Sequence, residues 1–432
     1  MDEPTQKFFE TLLQTQFLAP DAMRASQRLL LERLLRHARA HVPYYRGRGD
    51  LDAVFGRNDE IVWDRWHDLP ILTREQAQAH APSLYAEVVP ADCGPVTGGQ
   101  TSGSTGRPLP FRVNGIVAAA ASAVFERGLV WAGIPAVRKL AWIRYDYDGS
   151  ASYPRGARYS TEIRGVSREL HTLSVATDSA DQARWLQQIS PDVIMGYPNA
   201  LALVGQALPA ELAGHAFRLV ICNGEAASDH VRDAIERAFG CPTMNLYSAS
   251  EIGTIAVEDS TLHRLYVAEE AGLVEGGGAI APGENGVALR ELIVTPFYNY
   301  AMPLIRYAPG DFVSFDPTPA PDARTLRRLA RIAGRDRNAF ILPSGLRWWP
   351  TYVVRVMGQY LACDQIQFAQ TTTRSIEVRF VSRDNAPIKD ADALLAYLRG
   401  ATPEPMEFAL NRVAEIPRRP SGKFEDAVCE IS

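Results

Sequence analysis

From residue 5 to residue 40 apolar positions recur at helical spacing, as in "AMRASQRLLLERLLRHARAHV", until "VPYYRGRGD" breaks the period with Pro and Gly. The spacing predicts a packing helix. Between about 110 and 260, helical stretches ("IVAAAASAVFERGLVWAG", "DQARWLQQI", "NALALVGQAL", "DHVRDAIERAFG") alternate with short strand-like ones ("KLAWIRY", "DVIMGY", "RLVICNG", "PTMNLYS"). That alternation predicts βαβ units around a largely parallel sheet. Ligands of such sheets gather at the carboxyl ends of the strands, so "YDYDG", "GYPNAL", "NGEAAS" and "YSASEIG" are the segments to watch. From about 265 to 315, Gly-rich turns between alternating strands predict antiparallel hairpins. The Pro-, Asp- and Arg-rich piece "DPTPAPDARTLRRLARIAGRDR" then reads as a linker into a smaller α+β domain. The expected fold class is therefore α/β. A large N-terminal domain, residues 1–333, combines parallel α/β sheets with an antiparallel β subdomain, and a small mobile α+β C-terminal domain, residues 334–432, follows.

The length of 432 residues supports this division, because one hydrophobic core rarely organises so long a chain. Hydrophobic residues at 46% and charged residues at 22% are ordinary for a soluble globular protein. A formal net charge of -5 supplies no global field for nucleic acid or anionic lipid, so an anionic ligand needs a local site. The five cysteines (Cys93, Cys222, Cys241, Cys363, Cys429) are scattered and never spaced Cys-x-x-Cys, which argues against a disulfide framework or a zinc knuckle. The start "MDEPTQKFFETLL" carries acid where a signal peptide carries base, and no apolar run approaches the ~18 residues of a membrane helix. A cytoplasmic protein is expected, with no nucleic-acid or membrane partner.

One stretch changes the picture. "GGQTSGSTGRPLPF", residues 98–111, sets hydroxyl side chains on a Gly-rich backbone, a combination that can cradle phosphate oxygens with backbone N–H groups. A Walker A loop is excluded, since Arg107 and Pro108 follow Gly106 where Lys and Ser or Thr are required. None of the eight histidines sits in a metal spacing or beside a nucleophile, and Ser102 and Ser104 lack the Gly-x-Ser-x-Gly elbow of hydrolases. Read alone, the loop is equally a mobile surface turn.

Its company is a series of motifs in order, and together they resemble the adenylate-forming superfamily, in its phenylacetate:coenzyme A ligase branch. "HVPYYR" (41–46) and "LPILTREQ" (69–76) resemble N-terminal signatures of that branch, and "TSGSTGRP" (101–108) its phosphate loop. "NGEAASDHVRDAIE" (223–236) resembles the adenine-lining segment, and "YSASEIG" (247–253) the aromatic-to-Glu motif. "PLIRYAPGD" (303–311) resembles the ribose motif, although Ala308 and Pro309 stand where Arg-Thr is usual. "GRDRNAFILPSGLRWWP" (334–350) resembles the hinge, and "PRRPSGK" (417–423) the terminal lysine loop.

The resemblance implies a role for each matched position. Thr101, Ser102, Gly103, Ser104, Thr105 and Gly106 would bind phosphate, with Thr101, Ser102 and Thr105 also catalytic. Asn223, Gly224, Glu225 and Ala226, with Ser248 and Ser250, would line the nucleotide, and Tyr247 would offer adenine a flat face. Glu251 would be a hard oxygen ligand for Mg²⁺, Asp311 a ribose acceptor, and Arg335 a planar fork for ribose or phosphate. Lys423, after Gly422, would bring a compact positive charge to the carboxylate and the α-phosphate. Trp142, Tyr145, Tyr147 and Tyr197 follow predicted strands and would wall an acyl pocket, or simply pack.

The implied reaction is ATP-dependent activation of a carboxylic acid, aryl or arylacetic by resemblance, to an acyl-adenylate held between two domains, with transfer to coenzyme A after the C-terminal domain rotates about residues 335–337. Two alternatives stand beside it. One is a stand-alone adenylating enzyme that passes its acyl group to an amine, a carrier protein or a reductase. The other is a nucleotide-binding sensor without chemistry. A homodimer is left open.

Overall fold

The computed structural model describes residues 2–46, 48–101, 108–146, 148–163, 166–208, 217–225, 227, 229–281, 288–335, 338–350, 357, 360–419 and 421–431. The chain forms two compact units. One comprises Met1–Pro135, Leu246–Ala279 and Arg290–Arg331; the other comprises Ala136–Asn245, Ile280–Leu289 and Ile332–Ser432.

In the first unit the N-terminal periodicity resolves into two helices, Glu3–Thr15 and Pro20–His41, rather than one. Asp2 caps the first by accepting from Thr5 N–H, and Pro20 opens the second at the position where a missing N–H costs nothing. Phe9 and Leu12 of the first helix, and Leu31, Leu34 and Leu35 of the second, are buried. Antiparallel pairing dominates the strands: Arg290 faces Val313, Leu265 faces Leu329, and Val257 faces Leu246. Leu72–Thr73 is the exception, running parallel to Tyr307–Ala308. Val96–Gln100 pairs antiparallel with Pro110–Asn114 as a separate two-stranded sheet. The expected linker is partly regular structure, since Arg328–Arg335 is a strand. Its arginines hid it: Arg328 is buried because Asp316 neutralises it at 3.0 Å.

The second unit contains the parallel sheet that the alternating pattern predicts. Lys139–Arg144 lies between Val166–Ser174 and Val193–Gly196, and Leu219–Asn223 follows, all parallel. Helices Ser179–Ile189, Pro198–Gln206 and Asp229–Phe239 cover it, with Trp185, Leu186, Leu201, Val204 and Ile235 fully buried against Ile143, Ile194 and Val220. Ala157–Ile163 adds an antiparallel edge that the apolar pattern does not signal, because "ARYSTEI" is exposed through its middle. The C-terminal part has its own core. Cys363–Thr372 pairs antiparallel with Ser375–Ser382, Glu407–Arg412 and Ala427–Cys429 join them in parallel, and helix Ala391–Ala401 buries Leu394 and Leu398. Among the described residues no helix is long and apolar enough to cross a membrane.

A deeply buried ion pair lies in the first unit. Arg127, fully buried on helix Gly115–Trp131, makes two bonds to Glu270, 2.6 Å and 3.3 Å, and donates to the Leu12 carbonyl at 3.4 Å. Replacing Arg127 with Met leaves the Glu270 carboxylate buried without its cation, which costs roughly 3–5 kcal/mol. The expected result in urea is a lower unfolding midpoint; an unchanged midpoint contradicts the assignment.

Candidate active site

Two clusters of predicted site residues are built, one in each unit. In the first, Thr73 caps helix Arg74–Leu84 through a reciprocal capping box with Gln76, which fixes Arg74 at the helix start. Arg74 is 5% exposed and Glu251 is 3% exposed, and they pair at 3.2 Å (Nη1 to Oε1). The other arm of Arg74 donates to Thr101 Oγ1 at 2.7 Å, and Tyr307 OH donates to Glu251 Oε1 at 3.1 Å. Thr101 accepts a further bond from Leu109 N–H at 2.9 Å and donates its own N–H to the Leu109 carbonyl at 3.0 Å, closing the base of the Gly-rich loop. Burial, helped by the Glu251 charge, raises the Tyr307 pKa far above that of a free phenol, so Tyr307 stays a proton donor to the carboxylate. Arg74, Thr101, Glu251 and Tyr307 thus hold one another in a dry site where each polar group is worth more than in water.

Nearby in the same unit, Tyr247 OH donates to Asp311 Oδ2 at 2.6 Å. This fixes the outer end of the ring and orients the carboxylate. Asp311 opens the strand Asp311–Phe315 just after Gly310, whose φ of +87° suits glycine. Ser248 is half-buried near the end of strand Thr243–Ala249, and Ser250 is exposed in the turn that also holds Glu251.

The second cluster sits at the carboxyl ends of the parallel strands, where ligands of such sheets collect. Trp142 stands inside Lys139–Arg144 and Tyr145 directly follows it, Tyr197 directly follows Val193–Gly196, and Asn223 ends Leu219–Asn223 with Gly224 and Glu225 after it. All six are half-buried. Lys423 reaches this edge: its Nζ lies 5.7 Å from the centroid of the Tyr197 ring, at the outer limit of a cation–π contact. Gly224 adopts φ +81°, and a Cβ there would stand 2.8 Å from Tyr197 and 3.6 Å from the Lys423 Cε. Glu225 accepts from Asn199 Nδ2 at 3.1 Å and from Phe424 N–H at 2.6 Å. Burial raises the Glu225 pKa, and those two donors with the Arg418 and Lys423 charges oppose the rise. Arg335 is held by its backbone, whose carbonyl accepts from Trp349 Nε1 at 3.0 Å.

Ser102, Gly103, Ser104, Thr105, Gly106, Tyr147 and Ala226 lie outside the described residues. Within the first unit the structure joins Thr101 to Glu251 through Arg74, and Tyr247 to Asp311; within the second it joins Lys423 to Tyr197, Gly224 and Glu225. Sequence reasoning missed Arg74 and Tyr307 as members of the first cluster. Both fall inside quoted motifs, "LPILTREQ" and "PLIRYAPGD", but no spacing within those motifs marks either as a partner of Glu251.

No protein-family model matches the chain. Among curated proteins it is 27% identical over 337 residues to the phenylacetate-coenzyme A ligase of Escherichia coli (strain K12), covering 74% of this chain and 73% of the relative. It is 25% identical over 357 residues to protein CapK of Staphylococcus aureus, covering 77% and 74%. Among solved structures, 2-hydroxyisobutyryl-CoA ligase in its postadenylation state with 2-HIB-AMP superposes with a TM-score of 0.72 at 16% identity, over 95% of this chain and 90% of that one. The last likeness bears on the fold alone. The chain is thus similar in sequence to proteins named phenylacetate-coenzyme A ligase, and the motif order of the adenylate-forming superfamily agrees with that similarity. As in the motif order of that superfamily, its terminal lysine lies on the loop that closes over the carboxyl edge of the second unit.

The seat of that loop is tight. Gly422 adopts φ +76°, and a Cβ there would stand 2.3 Å from Val175 Cγ1. The variant Gly422→Ala should therefore lift the loop and expose the Arg418–Arg419 and Lys423–Phe424 bonds, so that trypsin cuts there several-fold faster than in the native protein. Equal cleavage rates contradict the close seating.

Proposed function

We propose that this chain is an AMP-forming acid:coenzyme A ligase that activates a carboxylic acid with ATP and then passes the acyl group to coenzyme A. In the first step a carboxylate oxygen attacks the α-phosphorus, pyrophosphate leaves, and an acyl-adenylate forms. In the second the thiolate of coenzyme A attacks the acyl carbonyl, and AMP leaves. Neither step needs a protein nucleophile, in keeping with a site that offers cations, hydroxyls and backbone donors in place of a Ser, His and Asp constellation. The obstacle is repulsion between two anions, which positioning and charge stabilisation lower.

The observation that carries this reading is Lys423, a primary ammonium brought to the carboxyl ends of the parallel strands beside Tyr197 and Gly224. We assign it the role of bridging the attacking carboxylate and the α-phosphate. Thr101 and the loop after it would take the β- and γ-phosphates, Tyr247 with Asn223 and Gly224 the adenine, and Asp311 and Arg335 the ribose. Mg²⁺ suits Glu251 as its one protein ligand. The recorded bonds from Arg74 and Tyr307 both fall on Oε1, which orients the carboxylate, and no cluster of three metal-ligating side chains occurs among the described residues. That donor set matches an ion held through a single carboxylate and substrate phosphates. When bound, the ion would neutralise charge on the leaving pyrophosphate. Residues 334–432 would serve as the mobile part, turning about residues 335–337 between the two steps. Trp142, Tyr145 and Tyr197 supply flat apolar walls, and together with the relative named phenylacetate-coenzyme A ligase they favour an aryl or arylacetic acid.

A second reading is favoured by the chain after Lys423. Glu425, Asp426 and Glu430 follow it in place of basic residues, and Glu425 and Glu430 engage the Arg419 and Arg379 guanidinium groups that could otherwise meet the phosphates of a polyphosphate thiol. Transfer to an amine, a carrier protein or a reductase would not need that attraction.

Pyrophosphate release measured over a panel of aryl and alkyl acids, with thioester followed in parallel with and without coenzyme A, tests both. Release with an arylacetic acid and thioester only when coenzyme A is present is the expected result; release without thioester supports the second reading, and no release with any acid contradicts both. Replacing Lys423 with Ala removes charge-assisted bonds worth about 1.5–3 kcal/mol each, so pyrophosphate release should fall at least about a hundredfold. An unchanged rate overturns the role given to Lys423.

A further inference from the structure

The lysine loop is seated at a cost. Ser421 is 5% exposed, and its Oγ has no hydrogen-bond partner among the described residues, so the hydroxyl has lost water without replacement. Gly422 holds a left-handed backbone against Val175. Internal bonds shape the turn: Gly422 N–H donates to the Arg419 carbonyl at 2.7 Å, and Arg419 N–H to the Lys423 carbonyl at 2.9 Å. They hold its form but tie it to nothing beyond itself. Beyond the loop, Gln367 Nε2 donates to the Glu425 carbonyl at 2.9 Å and Phe368 N–H to the Asp426 carbonyl at 2.8 Å, which leaves the stretch from Ser421 to Phe424 to be held from elsewhere.

Glu225 is placed to do this. Its Oε1 accepts from Phe424 N–H at 2.6 Å, one residue past Lys423, a short bond of the charge-assisted kind. Its Oε2 accepts from Asn199 Nδ2 at 3.1 Å, and Asn199 stands on helix Pro198–Gln206 directly after Tyr197. The carboxylate is thereby braced from the sheet side and holds the loop with its other oxygen. Phe424 is buried, which anchors the far end of the same bond. The motif resemblance places Glu225 in the adenine-lining segment, but the bonds recorded for its carboxylate run to Asn199 and to the loop backbone.

We infer that Glu225 is a positioning residue, a latch whose carboxylate holds the Phe424 amide and so fixes Lys423 beside the reacting phosphate, with Asn199 orienting the latch. Resting on the proposed adenylation activity for its functional consequence, the latch also has a purely physical one. It acts through Lys423 and sets how often the lysine is in place, while the nucleotide is bound by other groups.

The test uses the full-length protein and the variants Glu225→Ala, Glu225→Gln, Lys423→Ala and the double variant Glu225→Ala/Lys423→Ala. Tryptic cleavage at Lys423–Phe424 and Arg418–Arg419 is read without substrate. It should accelerate several-fold in Glu225→Ala and less in Glu225→Gln, which keeps an acceptor oxygen; native-like cleavage in Glu225→Ala overturns the latch even if no acid is ever found to be activated. With an active acid, Glu225→Ala should lower kcat for pyrophosphate release about tenfold or more while KM for ATP moves less than about twofold, with partial recovery in Glu225→Gln. In the Lys423→Ala background the added Glu225→Ala change should cost nothing further. A raised KM for ATP at native kcat makes Glu225 a direct nucleotide contact, and a fully multiplicative double variant makes its effect independent of Lys423. Either result overturns the assignment.

Discussion

The positive charge of Lys423 reaches the carboxyl edge of a parallel sheet only because the residue before it has no side chain. At Gly422 the backbone turns left-handed against Val175 with no space for a Cβ. Gly224, on the opposing segment, is equally confined by Tyr197 and by the stem of Lys423 itself. Two glycines thus set the approach between a lysine and the sheet edge, and the chemistry proposed for the chain depends on that approach.

The first unit solves a different electrostatic problem. Arg74 and Tyr307 hold the buried Glu251 carboxylate in one orientation, the first by an ion pair and the second by donating a proton that burial prevents it from losing. The second arm of Arg74 extends the arrangement to Thr101 at the base of the Gly-rich loop. The carboxylate and the first hydroxyl of the loop therefore share one guanidinium, and a change at either is felt at the other. Such coupled networks are costly when half satisfied, which accounts for a capping box devoted to fixing the residue that begins the helix.

Much of this was legible in the sequence. The four apolar runs at 139–144, 193–196, 219–223 and 243–249 are strands, and the helical stretches between them are helices, because burial on both faces writes continuous apolar runs. The segments after those strands are where Tyr197, Glu225 and Glu251 stand. What escaped has physical reasons too. Ala157–Ile163 is an exposed edge strand and carries no apolar period. Arg328–Arg335 is masked by arginines whose charge is cancelled by residues distant in sequence, as at Asp316. The break between the first two helices at Gln16–Ala19 was invisible to periodicity, although Pro20 marked it. Arg74 was missed because its partners, Thr101, Glu251 and Tyr307, lie 27 to 233 residues away, and no spacing rule reaches that far.

The central claim is that a carboxylate oxygen of the substrate attacks the α-phosphorus of ATP. Supplying the native protein with an activated acid labelled with ¹⁸O in both carboxylate oxygens, together with ATP and coenzyme A, and weighing the AMP released by mass spectrometry tests it directly. The account predicts AMP carrying one heavy oxygen per turnover, transferred when the thioester forms. AMP without label, or ADP as the nucleotide product, would contradict it.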